Sequence, residues 1–389
     1  MPRMIATLAS AFLGALGVGA PIHYTDGGYA QIATVIADLD YLGIHCIRTG
    51  AWFHGIQGEQ AYHIAAKAGV RFDMVLNTTD APGQSVAQMA QFAAAHPGAI
   101  AAIEGPNEIN NFGAHYHAMN GAAAATRFQD DLYRAIAADH VLQGTTVFSY
   151  TMNAGATSTT GYDYAAIHPY AVGGRAPRAF LETNIASVPA GKRFALTETG
   201  YPTLPTDKDG VDGRVQAIYT LDMILDAAHA GASAIYLYEL LDAYPDPDGS
   251  RIGTHFGLFD RANRPKPAAI ALHNLARILG PGRSSGQAAF APGSIDIAAD
   301  PAIRMLLLQK SPDVFDLVVW DEQPLWNGQT HAPIAPTAHH RTVHFGTIPR
   351  AIAVFDPMRD TAPMLNKPGT ATLDLRMAAD PLIVEISFR

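Results

Sequence analysis

The segment IEGPNEIN, residues 103–110, places Glu104 and Glu108 four positions apart around a Gly-Pro, with Asn107 directly before the second glutamate. A further glutamate, Glu198, stands ninety positions after Glu108, in FALTETGYPT. Two carboxyl groups held face to face can divide an acid's work from a nucleophile's. One gives a proton to a leaving oxygen while the other meets developing positive charge, which is what cleavage of a glycosidic bond requires. Either glutamate alone reads as a helix cap or a surface ion pair. Together they become chemistry if the fold makes them meet.

The elements that could do so are legible as repeats of apolar run and helical pattern from the start to about residue 280. Candidate strands are Gly14–Ile22, Ile44–Thr49, Arg71–Asn77, Ala101–Glu104, Gln143–Ser149, Tyr164–His168, Arg193–Thr197 and Ala234–Leu240. Between them, helices are expected over Tyr29–Leu42, Glu59–Ala68, Ser85–Ala95, Ala122–Ala138 and Arg214–Ala230; in the last, Ile218, Leu221, Leu225 and Ala228 recur at helical spacing. Alternating βα units point to an α/β chain with a parallel sheet, and eight strands favour a closed (β/α)8 TIM barrel. The unit between the fifth and sixth strands, YTMNAGATSTTGYDY, is too short and polar for a full helix. In such a barrel, catalytic groups come from the C-terminal strand ends. Glu108 falls just past strand four and Glu198 at the end of strand seven, on opposite sides of the mouth. Glu104 lies within its strand and reads as structural, a tie between neighbouring strands.

After PKPAAIALHNLARIL the helical pattern ends. GPGRSSG has a linker's composition, and MLLLQK, FDLVVW, TVHFG, AIAVFD, ATLDL and LIVEISF read as an antiparallel β-sandwich. The expected division is a catalytic barrel over 1–280 and an accessory sandwich, packed on the barrel's flank, over 281–389. The uncharged run from Met4 to Ala20 follows Arg3 like a signal peptide but is read as the approach to the first strand.

Hydrophobic residues make up 48% of the 389 and charged ones 16%, which supports a large folded core and leaves no case for disorder. A net charge of −9 without a basic run argues against nucleic acid and an anionic membrane surface; no apolar run is long enough to span a bilayer. A neutral partner fits better. Cys46 is the single cysteine, so no intrachain disulfide or cysteine-based metal site can form. The histidines of HYH (115–117) and HH (339–340) lack chelating spacing and read as solvated loop residues; GGYA and GVGAP lack a dinucleotide fingerprint. No metal and no cofactor are implied.

GPNE after strand four, HPY after strand six and TETGYPT after strand seven resemble the retaining β-glycosidases of clan A of the glycoside hydrolases, especially the xylosidase-like family 39 and related bacterial exopolysaccharide hydrolases. The resemblance implies Glu108 as acid/base, Glu198 as nucleophile and Asn107 as donor to the sugar 2-hydroxyl. It places His168 and Tyr170 against the carboxylates, and makes Arg48 the cation that keeps the nucleophile ionised. His23, Trp52, Tyr238 and Glu239 lie at the correct strand ends to line a sugar subsite, although consecutive strand residues point opposite ways, so one of the last two should face away. YLYELLD stands where many clan members carry a tryptophan on strand eight, which leaves the sugar open. The expected function is retaining hydrolysis of a β-glycoside in an oligo- or polysaccharide; an exopolysaccharide substrate would favour a periplasmic or secreted setting. A non-catalytic carbohydrate-binding scaffold and a transglycosylase using the same residues are the alternatives.

Overall fold

The computed structural model describes residues 1–51, 58–152, 160–280 and 290–389. Eight parallel strands close into a barrel: β1 (Leu16–Gly19), β2 (Cys46–Gly50), β3 (Arg71–Val75), β4 (Ile100–Glu104), β5 (Thr146–Phe148), β6 (Tyr164–Ile167), β7 (Arg193–Thr199) and β8 (Ile235–Leu237). Each matches an expected strand, and β8 pairs back onto β1 through Ile235 and Leu16. The period of two is visible on β2: Ile47 joins Phe72, Ile103 and Leu196 in the layer under the helices, while Cys46 joins Ala102, Phe148, Ala166, Ala195 and Tyr236 inside the barrel. Three alanines in that inner set make room for two rings. Gly17 does the same on β1, since a Cβ there would lie 2.3 Å from the Tyr236 ring.

Helices Ile32–Leu42, Glu59–Lys67, Pro82–Ala95, Gly121–Ala138 and Gly213–His229 cover the barrel as expected. Arg178–Ala186, which the sequence reading did not identify, packs beside the last of these. Between β5 and β6 no helix is present among the described residues; positions 153–159 and the linker positions 281–289 lie outside them. No helix among the described residues is long and apolar enough to cross a membrane.

The tail forms two large β-sheets beside a small hairpin (Trp326–Asn327 with Ala332–Pro333), and here residues 3–8 depart from expectation. Arg3–Ile5 pairs with Ser294–Ala299, in the sheet completed by His339–Phe345 and Thr372–Met377. Thr7–Leu8 adds in parallel to Arg304–Ser311, at one edge of the six-stranded sheet that also holds Val314–Trp320, Leu382–Ser387, Ala351–Phe355 and Leu365–Pro368. Residues 3–8 thus belong to the sandwich, a short helix (Ala9–Gly14) turns the chain, and the barrel starts at Leu16 rather than Gly14. The two layers share one core: Leu308, Val318, Trp320 and Ile383 pack into the barrel's apolar cluster. Trp320 is fully buried and donates Nε1–H to Asp226 on Gly213–His229 at 3.0 Å.

Candidate active site

At the C-terminal mouth, β2, β4, β6 and β7 converge on one polar network. Arg48, on β2, is buried and spends its fork on three partners: Nε and Nη2 donate to Glu104 at 2.7 and 3.0 Å, Nη2 donates to Asn107 Oδ1 at 2.7 Å, and Nη1 donates to Glu198. Burial opposes the charge on Arg48, but the charges of Glu104 and Glu198 outweigh it and raise the pKa of Arg48 further. Glu104 is indeed a tie between strands, held by Arg48 of β2 and by Thr197 Oγ1 of β7 at 3.1 Å. An arginine can only donate, so its bond to Asn107 fixes the amide: Oδ1 accepts, leaving Nδ2–H free to donate.

Glu198, next to the last residue of β7, also accepts from Tyr170 Oη at 2.7 Å. Burial and then the charge of Glu198 raise Tyr170 well above a phenol's ordinary pKa, so it remains a donor. The ring of Tyr170 sits edge-on to Tyr238 and Phe256 at 6.3 and 5.8 Å.

Glu108 has left-handed backbone, φ 39° and ψ 61°, which non-glycine residues adopt at a cost of about 1–3 kcal/mol. The surroundings hold it there. Its N–H donates to Thr151 Oγ1 at 2.9 Å, and its carbonyl accepts from Asn111 and Phe112 at 2.8 and 3.0 Å. The carboxyl meets Asn111 Nδ2 at 2.7 Å and His168 Nδ1 at 3.0 Å.

Thr197 gives its proton to Glu104, so its oxygen must accept from His168 Nε2, 2.9 Å away. With Nε2 protonated, a neutral His168 presents a bare Nδ1, and only its cation can donate there. His168 and Glu108 therefore hold one proton between Nδ1 and Oε1. The bond to His168 is the main influence holding Glu108 below the ordinary carboxylate range; burial opposes it, and the imidazolium charge, Asn111 and Arg48 add to it. A general acid needs the reverse, and the proton it lacks lies one hydrogen bond away.

One oxygen of Glu108, one of Glu198 and a ring nitrogen of His168 lie within 4.8 Å of one another. Such a donor set could take a cation, but the Arg48 guanidinium already on Glu198 would repel a dication. The cavity of about 400 Å³ above the carboxylates is lined by Asn107, Tyr170, Tyr238 and Phe256, and Phe112 stands at its rim, 74% exposed.

The structure brings Asn107, Glu108, His168, Tyr170, Arg48 and Glu198 together. It separates the pair on the segment after β8: Tyr238 lines the cavity, while Glu239 turns to Tyr29, whose hydroxyl donates to it at 3.0 Å. Burial pushes Glu239 up to about 8; the Tyr29 bond opposes this, and the charges of Asp242 and Glu198 add to it. His23 lies 3.3 Å from Thr49, pushed down to about 4 by burial. Trp52 lies outside the described residues. His339 and His340 are exposed, but on a strand rather than in a loop, and His115 likewise begins a short strand. Asn111, Thr151, Thr197 and Phe256 escaped the sequence reading. Asn111, three residues past Glu108, and Thr197, directly before Glu198, carried a signal in their spacing.

No family model matches the chain, and no curated protein matches it in sequence. Solved structures do match. A family 39 glycoside hydrolase from Bacteroides cellulosilyticus aligns over 98% of this chain and 82% of its own, at 15% identity and TM-score 0.64. A monomeric β-xylosidase from Caulobacter crescentus aligns over 98% of each chain, at 17% identity and TM-score 0.64. A family 30 xylanase from Clostridium acetobutylicum covers 96% of each, at 10% identity and TM-score 0.56. The likeness is one of fold and includes the sandwich: the chain has the barrel-and-sandwich architecture of these glycoside hydrolases.

Proposed function

We propose that this protein is a retaining β-glycoside hydrolase acting on an oligo- or polysaccharide, with Glu198 as nucleophile and Glu108 as acid/base. The observation that carries the reading is the approach of the two carboxylates, whose oxygens come within 4.8 Å. Direct attack on carbon needs carboxyl groups about 5–5.5 Å apart, a separation that so close an approach of one oxygen from each group allows. In the first step a Glu198 oxygen bonds to the anomeric carbon as the bond to the leaving oxygen breaks, and that oxygen takes the proton from Glu108. In the second, Glu108 as carboxylate takes a proton from water, whose oxygen displaces Glu198.

Three features support these roles. Arg48 and Tyr170 donate to Glu198 and hold its carboxyl group in place for attack. Asn107 presents Nδ2–H as a donor suited to a sugar hydroxyl. Closing a sugar over the site excludes water, which penalises the separated charges of His168 cation and Glu108 anion, so the shared proton passes to Glu108 as the acid is needed. The β-xylosidase and xylanase among the matched folds make β-xylosides the first substrates to try.

The test compares Glu108→Ala and Glu198→Ala across leaving groups. Glu198→Ala should lose several orders of magnitude on every substrate and regain turnover with azide. Glu108→Ala should collapse on natural glycosides yet release an activated phenol in a burst. Identical losses on all leaving groups would overturn the assignment, and a wild type that binds sugar in this cleft but cleaves no β-glycoside would make it a binding scaffold.

A further inference from the structure

Beneath the network lies a carboxyl group that no step above uses. Asp73 sits in the middle of β3, in register with Arg48 on β2 and Ala102 on β4, and so faces the barrel interior. It is fully buried, and neither carboxyl oxygen receives a donor from any described residue. The charge of Arg48 acts on it, but the recorded bonds of Arg48 go to Glu104, Asn107 and Glu198. The other titratable groups facing Asp73 are Glu104, in hydrogen-bonding range, with Cys46 on β2, Arg71 at the start of β3 and Tyr236 on β8.

Two carboxylates already share the buried Arg48 guanidinium. A third, fully desolvated and without donors, would carry an uncompensated charge. Burial first, then the charge of Glu104, drives Asp73 well above the ordinary carboxylate range.

We propose that Asp73 is a protonated carboxylic acid in the working protein and that its O–H is a donor to Glu104, making it a positioning residue beneath the chain Glu104–Arg48–Glu198. With Thr197 and both Arg48 bonds, the hydroxyl completes the shell of donors around Glu104. Glu104 in turn aims the guanidinium at Glu198. The catalytic consequence rests on the reading of Glu198 as nucleophile, but the protonation does not.

Two measurements need no substrate. Thermal unfolding of wild type and Asp73→Asn is followed from pH 4 to 7. A group neutral in the fold but titrating near about 3.9 when unfolded stabilises the protein fully only below that value, and its contribution falls as pH rises. The Tm of Asp73→Asn relative to wild type should therefore climb with pH. A difference that is flat, or that shrinks as pH rises, would show an ionised Asp73 and overturn the proposal. Infrared difference spectra at pH 7, wild type minus Asp73→Asn, should contain the C=O stretch of a carboxylic acid; its absence overturns the proposal on the native protein's own signal. For the positioning role, Asp73→Asn keeps a donor and should retain kcat/KM and its acid limb. Asp73→Leu should lose about tenfold or more, the worth of one hydrogen bond to a charged group, and shift that limb. Equal losses in the two variants would leave no role for the donor. A protein without glycosidase activity would fail the functional reading while the first two results still decide the protonation.

Discussion

Arg48→Met should harm the protein in two separable ways. The substitution removes the one cation shared by Glu104 and Glu198 and four recorded hydrogen bonds, leaving a side chain that can still fill much of the space. Charge-assisted bonds at about 1.5–3 kcal/mol each would sum to about 6–12 kcal/mol, but such terms are not additive. Glu104 keeps Thr197 and Glu198 keeps Tyr170, so the smaller figure for breaking a buried pair applies, about 3–5 kcal/mol. Urea unfolding at pH 7 measures this. The second effect is on catalysis: without the donor that holds Glu198 in place, kcat/KM should fall by about tenfold or more, the worth of one hydrogen bond to a charged group. Arg48→Lys separates charge from geometry, since it keeps the cation near Glu198 but cannot fork to Glu104 and Asn107 together. Its kcat/KM should fall less than that of the methionine variant. An unchanged kcat/KM in Arg48→Met, in a folded protein, would refute the claim that Arg48 positions the nucleophile; unchanged stability would refute the shared-cation network.

Two further outcomes follow from the fold and its buried charges. Glu239→Gln should flatten the loss of stability on the alkaline side: with the folded group near 8 and the ordinary value 4.5, the wild type's contribution is full below 4.5 and lost by about 8, a span worth about 5 kcal/mol at 1.36 kcal/mol per pH unit, read by unfolding at pH 5 and 8. Truncation after residue 280 should give insoluble protein, because Trp320 and Ile383 are part of the barrel's own core and Arg3–Ile5 loses its partner strand; a soluble, folded barrel would refute this.

The barrel was legible because each of its strands is a short apolar run closed by turn residues, and such runs say where they are without reference to distant partners. Glu108 and Glu198 were legible because strand number alone fixes which sides of the mouth they occupy. Arg48 and Glu104 were found as types, but their mutual bond was not, since it depends on which face of β2 and β4 turns inward. Asp73 passed unnoticed in RFDMV, although an acid in the middle of a buried strand is itself a signal. The shared proton on Glu108 rests on the direction of one threonine hydroxyl, and no residue pattern encodes that. Strands as short as Arg3–Ile5 have no pattern of their own; the partner Asp296 decides them.

That last pairing also imposes an order in time. Arg3 leaves the ribosome 293 residues before the Asp296 it pairs with, an interval of about 15–60 s at usual rates of synthesis. Throughout it, the first strands have nowhere to dock, while β1 and the strands that follow can already begin to associate. Residues 3–8 are thus among the last of these to find their places, and a nascent chain halted before residue 294 would carry them unpaired, open to chaperones and proteases, on an otherwise nearly complete barrel.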